Sequence, residues 1–189
     1  LGPLGYNIGA LLTTVILALY NTLGWLAVAL LAAVLPFMIS MGMHKALVPY
    51  AVASISDPGF EMLYMPASLA HNISEGGACL GVALKTKDEN LRATAISAGI
   101  SGLFGITEPA LYGVNLPLKR PMLGIMAGTA VGGIIAGVLG ATAYVYSYST
   151  ILALPIFQQT MWAMAIAIVA AIVVSALVTA ALGFEDRPV

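Results

Sequence analysis

Charge is what this sequence has least of. Seven Lys and Arg and eight Asp and Glu make up only 8% of its 189 residues, where a soluble domain carries about 25%. With 60% hydrophobic residues and a mean hydropathy of +0.99, such a chain cannot cover a water-exposed surface, and it reads as an integral membrane protein. The net charge is −1 and no run of basic residues occurs, which excludes a nucleic-acid interface. Cys79 is the single cysteine, so neither an intrachain disulfide nor a cysteine-based metal site can form. It lies among Gly76, Gly77, Ala78 and Gly81, without the electropositive setting of a reactive thiol. No phosphate-binding glycine loop ending in Lys-Ser/Thr, nucleophile elbow or CxxC pair occurs, and no cofactor site is read. No charged segment precedes the first apolar run, so no signal peptide is expected, and the chain is expected to start inside a longer protein.

Residues 1–44 hold no Asp, Glu, Lys or Arg. Leu1 to Tyr6, rich in Gly and Pro, reads as a loop or an amphipathic lead-in. Ile8 to Tyr20 and Trp25 to Ile39 are apolar and are parted by Asn21-Thr22-Leu23-Gly24. They are two short segments or one bent one, with Trp25 at an interface and Pro36 bending the second run. Ser40 to Met65 is broken by Gly42, His44, Lys45, Pro49, the turn Asp57-Pro58-Gly59 and Glu61, so it is read as a loop or re-entrant hairpin. Pro66 to Leu84 is long enough to span. Helical spacing groups His71, Asn72 and Glu75 there as a polar stripe facing a hydrophilic cavity. As metal ligands His71 and Glu75 are too few. Pro121 to Phe184 has no charged residue over 64 positions, enough for two spans, near Met122–Thr142 and Met161–Leu182. Gly124, Gly128 and Gly132 recur every four residues, the small-residue pattern of close helix packing in lipid. Tyr144 to Thr150, with aromatics and no basic residue, is placed outside.

Apart from Lys45, the basic residues fall into three places: Lys85, Lys87 and Arg92; Lys119 and Arg120; and Arg187. Positive charge marks the cytoplasmic side. Only 26 residues, Ala93 to Leu118, separate the first two places, and two full spans need about 40. The segment must therefore enter and leave by one face, as a helical hairpin. Glu108 is its only charged residue. Even forgiving insertion scales put a mid-bilayer acid at about 2.5–3.5 kcal/mol, which makes such residues functional by default. Pro109 removes a backbone donor and turns Glu108 away from α geometry, while Gly105 and Gly113 let the chain bend on either side. The alternative is a kinked helix whose acid is paired within the bundle. His44, a polar ring ending an apolar run, either satisfies a backbone carbonyl or meets a ligand.

The stretch Gly105-Ile106-Thr107-Glu108-Pro109-Ala110-Leu111-Tyr112-Gly113-Val114, followed by Leu118-Lys119-Arg120-Pro121, carries a resemblance. It extends to Leu84–Asp88 and Ser97–Ile100, and more weakly to Gly42-Met43-His44 and Leu47-Val48-Pro49. The sequence resembles the membrane-spanning enzyme IIC domain of bacterial sugar phosphotransferase systems, in the β-glucoside, sucrose and trehalose branch of the glucose superfamily. The resemblance covers nearly the whole chain but only the C-terminal part of a complete domain. It implies an all-α polytopic membrane protein with transmembrane helices and re-entrant hairpins, residues 1–184 being part of that domain and 185–189 the start of a cytoplasmic linker. It further implies a multi-pass protein of the bacterial inner membrane, in contact with lipid and homodimeric. Its role would be to bind a β-glucoside or disaccharide and to present a hydroxyl to the phosphocysteine of a cytoplasmic IIB domain, served by IIA, HPr and enzyme I. Cys79 is not that cysteine, which belongs to IIB. Glu108 would accept hydrogen bonds from the sugar and act as base, the catalytic role. His44, in the family's Gly-x-His position, would share that network, and Thr107, Asn115 and Asn72 would orient the sugar. Lys45 stands where relatives often carry His or Trp, and Glu75 where they often carry Gln. The competing expectation is a secondary transporter coupling sugar to H⁺ or Na⁺, with Glu108 carrying the proton. A structural fragment without transport is the third.

Overall fold

A computed structural model describes residues 22–185 together with Val15 and Ala18. The expected features at Leu1–Tyr6, along most of Ile8–Tyr20 and at 186–189 lie outside the described residues. The described chain is helical, with one isolated backbone bridge, Glu61 to Ala143. Four long helices form the bundle: α1 (Trp25–Ser40), α3 (Tyr64–Lys85), α7 (Pro121–Val138) and α8 (Met161–Leu182). A short α2 (Val48–Ser56) and the hairpin helices α4 (Glu89–Leu103), α5 (Glu108–Ala110) and α6 (Leu116–Leu118) complete it. α1 continues through Pro36, which is buried in its middle.

Small residues decide how the bundle packs. A Cβ on Gly128 would stand 2.6 Å from the Ala171 carbonyl oxygen, and one on Gly132 would meet Ala70 and Ala171 at 3.0 Å. The expected four-residue glycine stripe is thus the α7 seam against α8, touching α3 as well. Gly133 and Gly137 turn the other side of α7 to α1. Gly81 brings α3 onto α8, where its Cβ would be 2.5 Å from the Ala176 carbonyl oxygen. α3 and α8 run in the same direction, because Gly77 faces Ile172 and Gly81 faces Ala176. Apolar side chains point outward from this bundle, among them Val169 at 59% and Leu177 at 63% exposure. Buried polar residues such as Ser74, Glu75, Thr129, Ser175 and Thr179 lie inside it. That arrangement suits lipid surroundings and not water. Two helical stretches, Pro121–Val138 and Ile151–Leu182, are long and apolar enough to cross a membrane.

One end of the bundle gathers Lys85, Lys87, Arg92, Lys119 and Arg120. Arg92 donates to the carbonyls of Ala83 and Thr86, at 3.2 and 2.6 Å, where α3 ends. Arg120 donates to the Leu182 carbonyl at 3.0 Å, where α8 ends. Both guanidiniums thus satisfy orphan carbonyls at helix C-termini, where positive charge is favoured. Asp88 caps α4, its carboxylate accepting from the Leu91 N–H at 2.7 Å. From this end α4 rises, turns at 104–107 and returns through α5, a π-helical turn (Leu111–Asn115) and α6. Both legs begin and end beside the basic loops, so the segment between them is a helical hairpin, with its outgoing leg starting at Glu89. A tight turn links it to α7: the Arg120 N–H donates to the Leu118 carbonyl at 2.7 Å around Lys119, whose φ is 62°. That γ-turn conformation is rare and strained for a side-chain-bearing residue.

The opposite end is tied together by Glu61, which is 1% exposed. Its carboxylate accepts from the N–H groups of Leu63, Tyr64 and Met65 at 2.6 to 2.7 Å. These are donors that the first turn of α3 leaves without helical partners. Its backbone exchanges two 2.8 Å bonds with Ala143, fastening the α2–α3 connection to the loop after α7. Ser40 to Met65 is a broken connection made of the end of α1, a 3₁₀ turn (Met43–Leu47), α2 and the stretch that leads to Glu61.

Candidate functional site

The hairpin tip and three further segments meet at a polar cavity of about 210 Å³. Ile39 comes from the last turn of α1, and His44 and Lys45 from the 3₁₀ turn that follows it. Tyr64, Ser68 and Asn72, at helical spacing of four, form one face of α3. Gly105, Thr107 and Glu108 come from the hairpin tip, and Tyr146 to Ser149 from the loop after α7. From Tyr64 at the start of α3 to Asn72 is eight residues, about 12 Å along the axis at 1.5 Å per residue, so the cavity reaches from the helix start into the bundle.

The tip is held in place by its own backbone chemistry. Gly105 has φ 92°, a conformation costly to residues with a Cβ. A Cβ there would also press on Thr150 Cβ at 3.1 Å and the Ser149 carbonyl at 3.3 Å. The Ser101 hydroxyl and the Ile106 N–H close the turn, to the carbonyls of Ile106 and Ser101, each at 3.1 Å. Glu108 opens the return leg with Pro109 just behind it in the first helical turn. The sequence placed the break at Glu108 itself. It falls earlier, over Phe104–Thr107, because a proline in a first turn lacks only an N–H that has no helical partner there anyway. Glu108 is exposed, and its carboxylate is open to the cavity.

The facing wall is rigid. Asn72 donates through Nδ2 to the Ser149 carbonyl at 2.7 Å, and the Ser68 and Ser149 hydroxyls share a 2.7 Å bond. Asn72 Oδ1 lies 3.3 Å from His71 Nδ1. His44 lines the cavity, and its Nδ1 is enclosed and unpartnered among the described residues. Burial raises the Tyr146 phenol above its ordinary pKa, with a smaller push from Tyr148, so Tyr146 stays a neutral donor near pH 7.

Of the residues singled out in the sequence, His44, Asn72, Thr107 and Glu108 line this one cavity. Asn115 does not. The π-helical turn carries it under the tip, where it is fully buried and donates to the Glu75 carbonyl at 3.2 Å and to Cys79 Sγ at 3.4 Å. The polar stripe of α3 also divides. Asn72 reaches the cavity, while His71 and Glu75 are fully buried behind it. The loop Tyr146–Ser149, which sequence reasoning put at an outer interface, supplies a whole wall. Its alternating tyrosines and serines suit a ligand-binding wall as well as an interface, so the sequence alone did not separate the two. Among the described residues no three His, Cys, Asp or Glu side chains group as metal ligands.

The sequence matches the family model of the phosphotransferase system EIIC over residues 1–129. It is similar to the arbutin-, cellobiose- and salicin-specific EIIBC component of Escherichia coli K12, at 35% identity over all of this chain and 40% of that protein. The β-glucoside-specific EIIBCA component of Bacillus subtilis 168 is 34% identical, over 98% of this chain and 31% of its own length. The sucrose-specific EIIBC component of Pasteurella multocida Pm70 is 33% identical over 76% of this chain and 31% of its own. The chain thus spans about two fifths or less of these relatives. No solved structure matches it. An all-α membrane bundle, a helical hairpin whose tip meets a polar cavity and a family match over most of the sequence lead to one assignment: the chain belongs to the phosphotransferase system EIIC family.

Proposed function

We propose that the chain is the sugar-binding and phosphoryl-accepting part of a sugar permease in a bacterial inner membrane. It takes a β-glucoside or related disaccharide and releases it inside as the sugar phosphate. One observation carries the reading. His44, Asn72, Thr107 and Glu108, from three separate stretches, converge on a single polar cavity. At about 210 Å³ the cavity is smaller than the 300–1,000 Å³ of typical drug-sized sites. That suits one sugar ring, with a second ring or aglycone projecting past it.

The chemistry follows from the groups present. The exposed Glu108 carboxylate accepts a hydrogen bond from a sugar hydroxyl and takes its proton as the oxygen attacks phosphorus. The phosphorus–sulfur bond of the IIB phosphocysteine breaks, and the cysteine departs as thiolate. Such transfers depend mainly on positioning and charge stabilisation. His44 and Asn72 hold neighbouring hydroxyls, while Tyr146 donates from the loop wall. The relatives' names, EIIBC and EIIBCA, place IIB and IIA in the same chains as their IIC parts, which supports a IIB domain as partner here. The basic end, with Lys85, Lys119 and Arg120, then faces the cytoplasm.

The experiment is Glu108→Gln in proteoliposomes supplied with phosphorylated IIB. Sugar binding is expected to persist, while phosphoryl transfer falls by about 10²–10⁴-fold, the usual worth of a general base. Unchanged transfer would remove Glu108 from the chemistry. In the rival scheme of H⁺- or Na⁺-coupled transport, free sugar would accumulate on an ion gradient without IIB.

A further inference from the structure

Beneath the hairpin tip lies a second polar group that does not touch the cavity. Glu75 and His71 are both fully buried, with His71 Nε2 3.5 Å from Glu75 Oε1. Among the described residues, neither Glu75 oxygen nor His71 Nε2 completes a hydrogen bond of ordinary geometry. The Thr107 side chain stands beside the Glu75 carboxyl, and Glu108 is near enough to interact with it electrostatically. Both legs of the hairpin pack around this point. Next to Glu75, a Cβ on Gly76 would meet the Gly99 carbonyl of the outgoing leg at 2.9 Å. From the return leg Asn115 donates to the Glu75 carbonyl at 3.2 Å. The pair also connects to the opposite wall, because His71 Nδ1 meets Asn72 Oδ1, and Asn72 in turn holds the Ser149 carbonyl.

Buried polar atoms without partners are destabilising. An apolar residue at position 75 would pack α3 without that penalty, so packing alone does not account for Glu75. Its location does: it is a fully buried carboxyl against which both hairpin legs pack, under the Thr107–Glu108 tip. We propose that Glu75, backed by His71, is a positioning residue that fixes the Thr107–Glu108 tip. It forms a polar link from the Asn72 wall through the helix interior to the base. Glu75 acts on the reaction through Thr107 and Glu108 and does not itself touch sugar. The inference rests on the proposed phosphoryl-transfer role of Glu108, but its structural half can be read independently.

The test uses the protein with its complete flanking sequence in proteoliposomes. A spin label is placed at Ile106→Cys, on the exposed side of the tip, in a Cys79→Ala background. Three quantities are measured for Glu75→Leu and Glu75→Gln: label mobility, sugar affinity, and phosphorylation rate per folded protein. Glu75→Leu is expected to loosen the tip and to lower the rate by about 10–100-fold, the effect of a misplaced catalytic group. Sugar affinity should change by less than about 3-fold, since a positioning group acts on the rate and leaves ground-state binding nearly intact. Glu75→Gln keeps hydrogen-bonding capacity and should restore both tip order and rate. His71→Leu, which removes the ring behind Glu75, is expected to loosen the tip in the same sense and serves if Glu75→Leu does not fold. A tip as ordered as wild type in the apolar variants overturns the proposal. So does a loss of sugar affinity as large as the loss of rate, which would make Glu75 a ligand. If the wild type makes no sugar phosphate, the phosphotransferase reading fails while label mobility still reports on the tip.

Discussion

Gly128→Ala is the sharpest test of how the bundle holds the site. The added Cβ would lie 2.6 Å from the Ala171 carbonyl oxygen, 2.6 Å from Ser175 Cβ and 2.9 Å from Ser74 Oγ. The first two are about 0.8 Å inside the 3.4 Å at which ordinary contact begins. One obstacle is backbone, so no rotamer change clears it, and α7 must move away from α8. Overpacking of this kind costs about 1–3 kcal/mol. For a chain of this length each kcal/mol shifts the midpoint by about 2–4 °C. The control is Gly113→Ala, where nothing lies within 4 Å of the new methyl group. It is expected to be neutral, or stabilising by up to about 1 kcal/mol from the Gly-to-Ala propensity gain. Thermal unfolding of both variants in detergent, followed by intrinsic fluorescence, gives the comparison. A Gly128→Ala protein that melts with the wild type, or above Gly113→Ala, would refute the packing argument.

Further expectations follow from the site. His44→Ala should weaken sugar binding by about 0.5–1.5 kcal/mol, one neutral hydrogen bond, with little change in melting temperature; calorimetric titration checks it, and the reverse pattern would make His44 structural. Asn72→Ala strips the Ser149 carbonyl of its 2.7 Å donor; protease cleavage in the 144–150 loop should rise, with sugar affinity falling alongside. Cysteines placed at Lys87 and Lys119 in a Cys79→Ala background should both be labelled from the cytoplasmic face, and labelling from opposite faces would exclude the hairpin topology.

The larger plan of the fold was legible because charge and length are blunt constraints. Twenty-six residues between two basic loops cannot cross a membrane twice, and α4 to α6 fold back beside Arg92 and Arg120 as that arithmetic requires. The span expected at Pro66–Leu84 is α3, Tyr64–Lys85, and the one at Met161–Leu182 is α8 with the same ends. Helical periodicity was less informative inside the bundle. It grouped His71, Asn72 and Glu75 on neighbouring positions. It could not tell that the tip would cover His71 and Glu75 and leave Asn72 in the cavity. Asn115 was suggested by the resemblance and not by periodicity, and the π-helical turn carries it under the tip, against Glu75 and Cys79. The Tyr146–Ser149 wall was hidden because aromatic belts and sugar-binding walls use the same residues, and only long-range contact with Ser68 and Asn72 separates them. Glu61 read as a loop acid. Its capping of α3 depends on the N-terminus of that helix curling around the carboxylate.

The central claim is that sugar bound against Glu108 leaves the protein as sugar phosphate. Its most direct test is uptake of radiolabelled β-glucoside into proteoliposomes carrying the complete protein, with free and phosphorylated sugar separated afterwards. The account predicts sugar phosphate inside, strict dependence on phosphorylated IIB, and loss of the product by about 10²–10⁴-fold in Glu108→Gln with sugar binding retained. Accumulation of unmodified sugar on a proton or sodium gradient, without IIB, would contradict it.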